Sequence, residues 1–200
     1  MTAFPIDVID ELAGVAPGSA LDTLRRRRPV TREQAQESFA ALFVPRDDSE
    51  VSLAERLLLA AFATGLAGDD DTAAFYAAHA ARVDPDRWSV VADAAARAAA
   101  PGPFGRYREP GLQSESTDGV RWQAPAEVRT AVGDRLAAAL EHAHLLVVRP
   151  READAAALAA LTDAGWSVDA VVTLSQLVAF LAFQQRVVTG LRTIAEEAAA

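Results

Sequence analysis

The chain contains no cysteine. Disulfides, thiolate metal sites, iron–sulfur clusters and thiol redox chemistry on these residues are therefore excluded. Lysine is absent as well, so every basic side chain is an arginine. Histidine is scarce, with only His79, His142 and His144. Apolar runs are short. The stretch "LVAFLAF", 177–183, is far from the ~20 residues that a membrane span needs. The opening "MTAFPIDVIDELAG" is acidic and has no basic region leading into an apolar one, so no secretory signal is expected and the default is a cytoplasmic chain. Strand-like alternation is missing too. Only "LLVVRP" resembles a strand, and it reads better as a helix end before Pro150. Finally, positive charge is in deficit. A formal net charge of -9 argues against nucleic-acid or anionic-membrane partners, which need concentrated positive charge.

What remains is a 200-residue chain that is 51% hydrophobic and 24% charged. That is enough for one globular domain with its own core. Helix signals run through nearly all of it. "PIDVIDELAG" sets Ile6, Ile9 and Leu12 three apart, with Gly14 closing the helix. "SALDTLRRRR" starts at a Ser19 cap and stops before Pro29. "TREQAQESFAALF" opens on a predicted capping box, Thr31 with Gln34, and aligns Ala35, Phe39 and Leu42 on one face. A second box, Ser52 with Glu55, opens "SLAERLLLAAFATGLAG". "DDDTAAFYAAHAARV" follows after a short acidic turn near Asp69 and Asp70, so the two segments should form an antiparallel hairpin. Asp84 caps the next helix, with Pro85 at its first position.

The periodicity then breaks. Residues 101–127 are rich in Pro, Gly and Ser, and a segment of that length is usually functional, an arm onto another subunit, or mobile. Helix resumes near residue 125 and continues through "AVGDRLAAALEHAHLLVV". A short helix ends at Gly165, and a long one begins near Ser167. The middle of that last helix is apolar nearly all round, as in a central core helix or a subunit interface. It faintly echoes the Ser52 helix, which also starts from a Ser cap.

Two stretches carry a resemblance. "SLAERLLLAAFATGL…FYAAHAA" and "DAGWSVDAVVTLSQLVAFLAFQQRVVTGL" resemble the helical hairpin and the second half of the carboxymuconolactone decarboxylase-like, AhpD-like superfamily. The first 45 or so residues resemble the N-terminal helical extension of one of its subgroups, and the likeness spans about residues 5–195. It implies one all-α, AhpD-like bundle over 1–200 that assembles as a homo-oligomer, a trimer or hexamer. In the peroxidase branch it also implies a Cys-x-x-Cys, a histidine four residues later and an upstream glutamate. His79 matches that histidine, while Thr72 and Phe75 stand where the cysteines would be. Ala60 stands at the glutamate's place, with Glu55 nearest. Glu55 would lie about 7 Å further along its helix.

The resemblance therefore implies a protein without thiol peroxidase capability. Two readings stay open. One is a small-molecule binder, or a decarboxylase- or lyase-like enzyme in which His79 serves as acid or base with Glu55. In that reading Tyr76, Gln184 and Arg186 line the ligand site, Gln184 or Arg186 orienting a carboxylate. The other is a non-catalytic oligomeric scaffold, or a partner of a cysteine-bearing relative, with His79 packed inside the hairpin. Glu141 and His144 share a helix face and could form a proton-shuttling or metal-binding pair. The plain alternative is a solvated face, its histidines suiting a helix C-terminus. His142 points elsewhere. Arg25–Arg28 read as the cationic end of a helix. Trp122 and Tyr107, inside the irregular segment, suggest anchors for an arm or a pocket lid. With no phosphate loop, nucleophile elbow, zinc signature or calcium loop, no metal or cofactor is expected.

Overall fold

The computed structural model describes residues 4–68 and 71–199. Their regular structure is all helical, with no strand among them beyond one isolated bridge, Gly105 to Thr117. In chain order the α-helices are α1 (Val8–Ala13), α2 (Ala20–Arg26), α3 (Pro29–Phe43), α4 (Leu53–Ala67), α5 (Asp71–Val83), α6 (Pro85–Ala98), α7 (Ala126–Val132), α8 (Asp134–Val148), α9 (Ala155–Asp163) and α10 (Val168–Ala199). One core cluster takes buried residues from Val8 to Leu191.

The helix at the centre is α4. It is buried without a break from Arg56 to Thr64, and it packs against α3, α5, α6, α8 and α10. The Ser52–Glu55 capping box forms in full, and Glu55 adds an ion pair to Arg135 of α8. Arg135 also lies over the Trp166 ring, 3.5 Å from its centroid, and its carbonyl accepts from Trp166 Nε1 at 2.7 Å. These contacts hold the start of α8 and the approach to α10 against the start of α4. α5 packs along α4 as a hairpin partner. The expected turn at Asp69 and Asp70 lies outside the described residues.

Two local expectations need correction. Thr31 does not cap α3, which starts two residues earlier. Pro29 takes the first helical position, where its fixed φ suits a helix and its missing N–H costs nothing. The helix expected to run on from residue 125 is broken at Gly133, which separates α7 from α8 with φ 84° and ψ 156°. Only glycine takes that conformation without strain. Of the two readings of α10, a core helix or a subunit interface, it is not the fully enclosed one. Val172 is 50% exposed and Phe183 40%, although α10 packs on α1, α3, α4, α8 and α9. By length and composition alone, Val168–Glu197 is apolar enough to cross a membrane, and 44% of its apolar window is buried.

The N-terminal helices are held by charge. Arg25 pairs with Asp7 and Asp10, at 2.9 and 2.8 Å. Arg32 reaches Asp7, Asp10 and Asp22, and Arg26 adds a 2.9 Å pair to Asp22. The first part of the Arg25–Arg28 run is thus spent inside the molecule. Hydrogen bonds from the Gly18 amide and from Arg26 and Arg32 hold the Asp22 carboxyl down to about 2. At the other end, Arg192 of α10 donates to the Leu12 carbonyl at 2.6 Å, tying α10 to α1.

The irregular segment 101–127 is folded back onto its own chain. The Phe104 amide donates to the Val148 carbonyl at 2.7 Å. Arg149 Nη1 donates to the Gly119 carbonyl at 2.7 Å, and Arg149 also forks onto both oxygens of Glu152. A Cβ at Gly102 would come within 2.8 Å of the Val148 carbonyl oxygen, so only glycine allows this close approach to the end of α8. Trp122 packs on Phe62 and His144, with ring centroids 5.1 and 6.0 Å away, and Arg151 covers Tyr107. Both aromatic side chains therefore pack the segment onto its own chain.

Candidate functional site

Residues 72, 75, 76 and 79 repeat along one side of α5, the spacing that keeps side chains on one helix face. Tyr76 is fully buried, and its hydroxyl donates to Gln184 Oε1 of α10 at 2.7 Å. This brings together two of the residues expected from the sequence, 108 positions apart. Burial pushes the Tyr76 phenol well above its ordinary range, so it stays protonated and keeps donating. Gln184 Nε2 and Thr72 Oγ1 are buried without a partner, which makes this polar seam incompletely satisfied. The neighbouring Gln185 donates to the Thr64 carbonyl at 3.2 Å.

His79 lies one turn further along α5 and is 6% exposed. Its ring sits between Phe4, at 4.9 Å, and Phe75, at 4.5 Å. Nδ1 is buried without a partner. Burial, with Arg82 nearby, pushes the imidazole below its usual value. It is neutral at pH 7, and among the described residues no carboxylate orients it.

The other expected residues lie elsewhere. Glu55 spends one oxygen on the capping box and the other on Arg135. Arg186 is exposed on a different face of α10 from Gln184, and one guanidinium nitrogen donates to the Ala182 carbonyl. Glu141 and His144 also part company. Glu141 accepts from the Ala124 amide and from Arg129. His144 lies beside the Ala98 backbone and Trp122, and its Nε2 is buried without a partner. His142 meets the Ser175 hydroxyl at 3.2 Å. Both α8 histidines are buried rather than on a solvated helix face. Among the described residues no group of three or more His, Asp or Glu gathers to hold a metal ion.

No family model, no curated protein and no solved structure matches this chain. The site must be judged on its own geometry. Two larger hollows border α10. One is a groove of about 930 Å³ between α3 and α10, floored by Ala35, Leu42 and Phe180. The other is a more enclosed cavity of about 480 Å³ between the ends of α4 and α8, the 101–103 strap and α10, and it takes Gln185 and Arg186 into its wall. Neither includes His79 or Tyr76. The sequence signal for this cavity was the pair Pro101 and Pro103 around Gly102, which reads only as a helix stop until α8 is placed beneath it.

Burial depresses all three imidazoles, so the folded state binds fewer protons than the unfolded chain below about pH 6.5. Their contribution to stability is complete above that value and is lost as the pH falls through it. The urea midpoint should therefore drop between pH 7.5 and 5.5, and His142→Gln should shallow the drop. An unchanged midpoint over that interval would mean the histidines bind protons equally in both states.

Proposed function

We propose that this chain is a non-thiol, AhpD-like protein of the carboxymuconolactone decarboxylase-like class that binds a small molecule rather than converting one. The observation that carries this reading is the caging of His79. A general base needs a partner to orient it and a substrate within reach. His79 is in contact with the rings of Phe4 and Phe75, and among the described residues no carboxylate lies beside it. Thr72 and Phe75, at the places of the peroxidase cysteines, are a buried hydroxyl and a ring set edge-on to His79. The cavity beside Gln185, by contrast, has the size of a small-molecule site, ~300–1,000 Å³.

The test is a calorimetric binding screen on the whole chain with small lactones, muconate-like acids, short monocarboxylates and organic hydroperoxides, with product analysis by mass spectrometry. Saturable binding without product is expected, with His79→Ala binding as tightly as wild type while melting lower. Product formation that disappears in His79→Ala would overturn the reading in favour of acid–base catalysis.

A second reading is favoured by the bare face of α10, where Val168, Val172 and Phe183 stand exposed. The resemblance implies a homo-oligomer, a trimer or hexamer, and such assembly would bury that face in a scaffold of identical chains. Light scattering on wild type and Phe183→Arg decides it. An oligomer that Phe183→Arg dissociates supports the scaffold, and a wild-type monomer ends it.

A further inference from the structure

We propose that the cavity between α4, α8 and α10 takes a small monocarboxylate with a compact apolar body, its carboxylate held at Arg186. This rests on the small-molecule reading above and assigns the ligand's chemical class. The walls are apolar, with Leu66, Leu146, Val178 and Leu181 among them. Two polar side chains interrupt them, Gln185 and Arg186. Gln185 is fixed through the Thr64 carbonyl, which leaves its amide at the wall of the cavity. Arg186 is the only charged residue in the lining among the described residues.

The state of Arg186 matters more than its presence. The molecule carries 28 acidic side chains against 19 basic ones. Arg25, Arg32, Arg135, Arg149 and Arg192 each pair with a carboxylate, and the buried Arg56 is spent on the Val51 and Leu42 carbonyls. Arg186 pairs with none among the described residues, and its internal hydrogen bond goes to the carbonyl of Ala182 one turn back. A guanidinium has donors enough for that bond and for a carboxylate.

The backbone cannot substitute for it. The helix ends that border the cavity are the C-termini of α4 and α8, where carbonyl oxygens repel an anion. An anionic ligand therefore depends on Arg186, while its apolar body is recognised by the walls. The strap at Pro101, Gly102 and Pro103 closes one side, and the Phe104 amide bond to Val148 fixes the chain immediately beyond it.

The experiment is isothermal titration calorimetry of the full chain with octanoate and cyclohexanecarboxylate, against octanamide and octylammonium. Two variants accompany wild type: Arg186→Gln, which keeps a donor but removes the charge, and Ala182→Trp, which fills the cavity from its partly exposed wall. Wild type should bind the carboxylates at least about tenfold more tightly than octanamide, the value of a charged hydrogen bond, and octylammonium least. Arg186→Gln should remove that preference and leave octanamide unchanged, and Ala182→Trp should abolish binding of every probe. Carboxylate affinity unchanged by Arg186→Gln but lost in Ala182→Trp would overturn the ligand class and leave the cavity as a small-molecule site. Affinity unchanged by Ala182→Trp would overturn the cavity assignment, although the chain would still bind small molecules. Absence of carboxylate binding to wild type would overturn the assignment outright, while the wider screen would judge the parent reading separately.

Discussion

Tyr76→Ala should cost about 3–5 kcal/mol of folding stability, the range for removing a large buried aromatic side chain. Tyr76 is fully buried against the rings of Phe43 and Phe75, each with its centroid 5.1 Å away. Truncation opens a hole between α3 and α5 that rigid helices fill poorly. Tyr76→Phe isolates the hydroxyl. It keeps the packing but leaves Gln184, whose Nε2 is already unpartnered, with no hydrogen bond at either end of its amide. Stranding a buried polar group costs about 1–3 kcal/mol. Adding Gln184→Met removes the stranded amide, so the double variant should recover most of that loss. Urea denaturation of the four proteins measures the cycle. A double variant as unstable as the sum of its parts would show that the pair does not act as a unit.

The second large effect belongs to Arg149→Ala. The Arg149 side chain is 7% exposed and holds both Glu152 oxygens and the Gly119 carbonyl. Removing one member of a buried pair costs about 3–5 kcal/mol, because the charge left behind has lost its partner. Here the figure belongs at the lower end, since Arg121 also reaches Glu152. Trypsin provides a second readout. Arg106, Arg108 and Arg121 all lie in the segment that Arg149 clips down. Cleavage at these sites should accelerate in the variant well before global unfolding. Unchanged cleavage would mean that the bridge and the aromatic contacts hold the segment without Arg149. Acid should act in the same direction. Hydrogen bonding from Arg149 holds the Glu152 carboxyl near 2, below its ordinary 4.5. The stability from this pair is present above about pH 4.5 and is lost as the pH falls towards 2.

The helical class could be read from the sequence because its signals are local. Ser52 with Glu55, Asp84 before Pro85, and Ser19 each cap the helix that follows them, as their short-range chemistry requires. Thr31 misled for the same local reason. A box pattern and a helix-starting proline competed within three residues, and the proline prevailed. The pairing of Tyr76 with Gln184 could be suspected only because both residues stood among the expected ligand contacts. Nothing in either helix alone specifies a bond across 108 positions. The burial of His142 and His144 was hidden altogether. Their helix reads as amphipathic with a polar end, and it is Ser175, Ala98 and Trp122, brought from distant segments, that give the two imidazoles polar or aromatic neighbours. Trp122 illustrates the same limit. An aromatic side chain in an irregular stretch can face a partner or its own core, and only the position of Phe62 decides.

The bond from Arg192 to the Leu12 carbonyl, together with the packing of α10 on α1, α3, α4, α8 and α9, governs the order in which the molecule can assemble at the ribosome. None of α1, α3 or α4 can bury its α10-facing side until Val168–Ala199 has been synthesised. The α4–α5 hairpin, whose contacts are local, can form early, but it must wait with apolar side chains such as Leu57 and Phe62 incompletely covered. Closure of the core is therefore a late, long-range event. In the interval the growing chain presents sticky surface that a chaperone would bind, and a slow codon or a pause before α10 would lengthen that exposure.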